Sequence, residues 1–112
     1  MLGRATTAAR RLLLEQEANT VIAVPSKLYP LDLDPVLPLV ERAEQVTIVE
    51  ESTAGGTWGA HVATEIYRAA WGRLRHPVSL VCSADAIVPA APHLEERVVC
   101  SADDIYRALV AR

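Results

Sequence analysis

The chain has no excess of positive charge, no long apolar run and no paired-cysteine motif. Eleven Lys and Arg stand against 14 Asp and Glu, for a formal charge of −3. That balance supplies no electrostatic case for binding nucleic acid or an anionic membrane surface. No apolar stretch approaches the roughly 20 residues that a helix needs to cross a bilayer. The amino-terminal MLGRATTAARRLLLEQEA lacks the apolar block of a secretory signal, and Glu15 and Glu17 speak against an Arg-rich, acid-poor mitochondrial presequence. Cys82 and Cys100 stand far apart without CxxC spacing. They read as buried thiols in a reducing compartment, with the cytoplasm as the expected location. Repeats, low-complexity tracts and linkers are missing as well, and 112 residues hold one domain at most.

What is present is organised around Val46 to Leu74, VTIVEESTAGGTWGAHVATEIYRAAWGRL. Val46, Ile48 and Val49 form a short β-branched run that predicts a buried strand over Val46–Glu50. Glu50 to Thr57 reads as a polar turn in which Gly55 and Gly56 permit positive φ. Gly59, Val62, Ala63, Ile66, Tyr67, Ala70, Trp71 and Leu74 then recur at spacings of three and four, which places them on one helix face. Thr57 is the expected N-cap and Pro77 the stop.

The flanking segments continue the pattern. Arg4 to Gln16 reads as a helix with Ala5, Ala8, Ala9, Leu12 and Leu13 on its apolar side. Thr20 to Val24 reads as a strand ending at Pro25, and Ser26 to Leu33 as a loop. Asp34 is expected to cap a short helix, with Pro35 at its first position and its end near Ala43. Val78 to Cys82 is predicted as a third strand, Ser83 to Pro92 as a loop, and His93 to Arg97 as one helical turn. Ser101 with Asp104 forms a capping box ahead of a last helix, Ala102 to Ala111, with Ile105, Ala108 and Leu109 facing inward. Helices and strands alternate throughout, which implies a mainly parallel sheet with helices on both faces. Three strands are few for four helices, and a doubly wound domain ordinarily starts on a strand.

These residues resemble a known family. Gly3-Arg4 with the alanine-leucine helix, Leu28 to Asp32 (LYPLD), Val46 to Glu51 (VTIVEE), Gly55-Gly56 and Trp58-Gly59-Ala60 occur in the order of its motifs. Leu74 to Val78 (LRHPV), Asp85 to Pro89 (DAIVP), Leu94-Glu95 and Asp104-Ile105 complete the series. Together they resemble the transketolase C-terminal domain, in the version that ends the β subunit of the thiamin-diphosphate-dependent decarboxylase of 2-oxo acid dehydrogenase complexes, pyruvate dehydrogenase among them. The resemblance implies a three-layer α/β/α fold over residues 1–112, lacking its first strand. In the family that strand lies between those matching Thr20–Val24 and Val46–Glu50, where this chain has only Met1-Leu2.

Candidate chemistry within the chain is sparse. Gly55, Gly56 and Thr57 ahead of a helix form a possible anion site, since free N–H groups and the helix dipole favour negative charge there. The spacing is neither GxGxxG nor GxxxxGK[ST], and no lysine follows. Backbone geometry alone, with close helix–sheet packing at Gly59, accounts for such glycines. Glu50 and Glu51 follow the strand, but neighbours on an extended chain point oppositely and make no acid–base pair. Glu50 is expected to cap backbone N–H groups instead. His61, His76 and His93 share no metal-ligand spacing with each other or with the cysteines. Ser52, Ser83 and Ser101 lack a nucleophile-elbow context. Trp71 is expected in the core, and Trp58, at the helix start, is the candidate interface residue.

These observations select no catalytic, cofactor-binding or metal-ligating residue. The resemblance implies that thiamin diphosphate and magnesium are handled in the parent enzyme by a preceding domain, leaving this chain an assembly role. Its expected partners are decarboxylase subunits and the acyltransferase core, in an oligomer. The competing expectation is a free-standing small α/β protein that binds an anionic ligand at the Gly55–Thr57 turn.

Overall fold

Alternation of apolar side chains along two short parallel strands divides the molecule into two cores. The structure, a computed structural model, describes residues 1–55 and 57–111. Its elements are α1 (Leu2–Gln16), α2 (Leu37–Arg42), β1 (Thr47–Thr53), α3 (Trp58–Ala70), β2 (Ser79–Ser83), α4 (Pro92–Val98) and α5 (Ala102–Val110). β1 and β2 pair in parallel, Ile48 beside Leu80 and Val49 beside Val81. Successive residues of a strand point to opposite faces. Val49 and Val81 accordingly meet Ala8 and Leu12 of α1 and Ile105 and Tyr106 of α5. Ile48 meets Val40 of α2 and Val62, Ile66 and Ala70 of α3. The result is the α/β/α sandwich that the sequence predicts, with a two-strand parallel sheet among the described residues.

The sheet is narrower than expected because Thr20–Val24 is not a strand. The segment carries no regular secondary structure, and Val21 and Val24 are 71% and 63% exposed. β-branched composition favours a strand only where a neighbouring strand supplies hydrogen-bond partners, and β1 pairs with β2 alone among the described residues.

Other boundaries shift for local reasons. β1 runs on to Thr53 through residues expected in the turn, because β2 continues beside it and the Ser83 hydroxyl donates to the Glu51 carbonyl at 2.5 Å. β2 itself begins and ends one residue later than predicted. α2 starts at Leu37 rather than after Asp34. The N–H groups of Val36 and Leu37 both bond to the Leu33 carbonyl in a turn, and the Asp34 N–H is taken by Asp32 Oδ1. α1 buries a narrower stripe than its composition suggests: Ala8 and Leu12 are covered and Leu13 faces outward.

Trp71 corrects a larger expectation. It is 75% exposed, not in the core. The covered line of α3 is Gly59, Val62, Ile66 and Ala70. A residue one step beyond Ala70 is rotated by about 100° around the helix axis, away from that line. Leu74 returns to the core instead, and Trp71 rests edge-on against Tyr67 with ring centroids 6.0 Å apart.

Candidate functional site

The strand end, the glycine turn and the start of α3 are where an α/β sandwich presents functional groups. Here those groups answer one another. Gly55 has φ +99°, a conformation that side-chain-bearing residues rarely adopt. Gly56 lies outside the described residues. Thr57 is the N-cap of α3, its hydroxyl oxygen accepting from the Ala60 N–H at 3.4 Å. Glu50 reaches across from β1, and its Oε2 accepts from the Gly59 N–H at 3.2 Å and from the Ser52 hydroxyl at 2.8 Å. The other carboxylate oxygen, Oε1, is buried with no hydrogen-bond partner among the described residues.

This arrangement bears on the anion site. A helix start attracts negative charge through its free N–H groups and dipole. At α3 one of those groups is already bonded to a carboxylate. An incoming anion would meet both the Glu50 charge and a donor already engaged. Glu51, on the opposite side of the strand, is exposed, so the two glutamates form no joint acid–base site.

The remaining candidates are dispersed. Trp58 is half-buried, and its indole N–H donates to the Leu28 carbonyl at 2.9 Å, tying the loop before α2 to the start of α3. His61 and His93 are exposed, while His76 Nε2 lies 3.5 Å from Glu44 Oε1. No three His, Cys, Asp or Glu side chains among the described residues converge on a point that could hold a metal ion. Both cysteines are free thiols. Cys100 is buried, with Sγ 3.4 Å from the Glu50 carbonyl oxygen, and burial pushes its thiol pKa up, away from reactivity. Ser101 caps α5 as expected, accepting from the Asp104 N–H at 3.1 Å while Asp104 Oδ2 accepts from the Ser101 N–H at 2.8 Å.

One surface feature escapes the motif reading. An open, mainly apolar groove of about 210 Å³ is lined by the irregular residues Thr20–Pro25, by Thr47 and Val49 of β1, by the amino end of α1 and by Ile105 and Leu109 of α5. Its signal in the sequence is TVIAV, a segment with strand composition that pairs with no strand among the described residues.

Comparison with known proteins places these features. The family described as "Transketolase, C-terminal domain" matches residues 1–105. The acetoin:2,6-dichlorophenolindophenol oxidoreductase subunit beta of Cupriavidus necator is 30% identical over 108 residues, which cover 96% of this chain and 32% of that protein. The mitochondrial pyruvate dehydrogenase E1 component subunit beta-2 of Oryza sativa subsp. japonica is 32% identical over 108 residues, covering 96% and 28%. The pyruvate dehydrogenase E1 component subunit beta of Rickettsia felis is 30% identical over 82 residues, covering 73% and 25%. The chain thus spans between a quarter and a third of the length of these curated relatives. With the family pattern running from Met1 to Ile105 and a matching sandwich beneath it, the chain belongs to the transketolase C-terminal domain family.

Proposed function

We propose that this chain is a non-catalytic assembly domain, acting as the C-terminal part of a thiamin-diphosphate-dependent 2-oxo acid dehydrogenase β subunit. The parent reaction is oxidative decarboxylation of a 2-oxo acid with transfer of the acyl group to lipoamide. The partners are the decarboxylase subunits and the acyltransferase core, and the location is the cytoplasm. The observation that carries this reading is the engagement of Glu50. The Glu50 carboxylate, reaching from β1 to the start of α3 where a reactive group would stand, serves the Gly59 N–H and the Ser52 hydroxyl. The relatives add that this stretch is a minor share of longer β subunits.

Thiamin diphosphate and magnesium do not fit the described residues. A diphosphate needs free cationic or N–H donors, and magnesium needs grouped oxygen ligands. The α3 start offers a carboxylate instead, and no acidic cluster accompanies it. No step of the parent reaction is therefore assigned to this chain.

Co-expression of the tagged chain with its neighbouring open reading frames, followed by a pull-down, tests the reading. A thiamin-diphosphate decarboxylase subunit is expected to co-purify in stoichiometric amount. Calorimetric titration of the purified chain with thiamin diphosphate and magnesium is expected to give no binding heat. Tight cofactor binding, or turnover of pyruvate by the chain alone, overturns the proposal.

A further inference from the structure

We draw no further inference here: the strongest candidate, the surface patch of exposed Trp71 against Tyr67 at the carboxyl end of α3, carries nothing, because the neighbouring Arg68, Arg73 and Arg75 are already paired with Glu65, Glu41 and Glu44 and nothing in the structure shows what covers it.

Discussion

Gly59 and Glu50 hold each other at the junction of α3 and β1. The Gly59 N–H donates to Glu50 Oε2 at 3.2 Å, and a Cβ built on Gly59 would stand 2.6 Å from Oε1 of the same carboxylate. The same Cβ would also stand 2.6 Å from Leu80 Cδ1 on β2. Both obstructing atoms end flexible side chains, so the clash can be relieved by swinging them aside. Moving the carboxylate breaks its bonds to Gly59 and Ser52, however. Gly59→Ala is therefore expected to lose about 1–2 kcal/mol in urea unfolding, although a helical alanine ordinarily gains about 1 kcal/mol over glycine. Glu50→Ala is expected to lose about 1 kcal/mol as a cap. The two changes act on one contact, so the double variant should lose less than their sum. Additive losses would mean that the glycine is not there to admit the carboxylate.

At the other end of the chain, Ser101 and Asp104 exchange hydrogen bonds in a complete capping box. The helix they start carries Ile105 and Tyr106 into the core beside Cys100. Ser101→Ala removes one side of the box and leaves the Asp104 N–H without its acceptor. The expected cost is about 1 kcal/mol, read from the midpoint of chemical denaturation. Ser101→Asp should recover most of it, because an aspartate caps equally well and suits the helix dipole.

α1 and α5 are clasped by a charged network that sets a pH window. The Tyr106 hydroxyl donates to Glu15 Oε2 at 2.5 Å, and the Arg11 guanidinium lies 3.8 Å from the Tyr106 ring centroid while bonding Glu15 and Asp103 at 2.9 Å each. The Glu15 carboxyl is held below its ordinary pKa by the Tyr106 hydroxyl first and Arg11 second. Arg107 and then Arg11 lower Asp103, and the Ser101 N–H and hydroxyl lower Asp104. A carboxyl with a depressed folded pKa contributes stability that is present above its unfolded value, about 4, and lost as pH falls through the folded value. The melting temperature is expected to fall on acidification below about pH 4, with a shallower slope in the Glu15→Gln, Asp103→Asn double variant. Tyr106 has the opposite sign. Its pKa is raised, chiefly by Glu15, so its share is present below about pH 10 and lost above it. Tyr106→Phe should abolish that alkaline loss while leaving the Arg107 contribution to the acid limb.

The parts of this molecule that could be read from sequence are those written within a few residues. The Ser101/Asp104 box, the Thr57 cap and the α3 stripe of Val62, Ile66 and Ala70 depend on spacings of three and four, and all are present. The capping role of Glu50 was legible in kind, since a carboxylate beside a helix start has few other uses. What the sequence hid depends on distant partners. Thr20–Val24 has the residues of a strand, but pairing needs a neighbour that local composition cannot supply. The bond from Trp58 to the Leu28 carbonyl joins positions 30 apart. The clasp of Arg11 and Glu15 on Asp103 and Tyr106 joins the two ends of the chain. No local pattern encodes either. Trp71 misled for a different reason: spacings of three and four also admit residues at the edge of a stripe, and Trp71 stands one step round the axis from the covered line that ends at Ala70.

The contrast between Ile66 and Trp71 turns that last point into a measurement. Ile66 is buried in the α2–α3 core with Val40, Ile48 and Val62. Cutting it to alanine removes apolar contacts and leaves a cavity, and the expected loss is about 2–5 kcal/mol. Trp71 is the larger side chain, and from the sequence alone would be ranked the more costly to truncate. In the folded chain its main contact is the Tyr67 ring, and most of its surface meets solvent. Trp71→Ala is therefore expected to lose no more than about 1 kcal/mol, the worth of an aromatic pair. Denaturant titration of both variants against the wild type ranks the two positions. A loss at Trp71 equal to that at Ile66 would require the tryptophan to be covered in solution, by a second copy or by a partner chain. Repeating the titration at several protein concentrations separates those cases, because only self-association makes the midpoint rise with concentration.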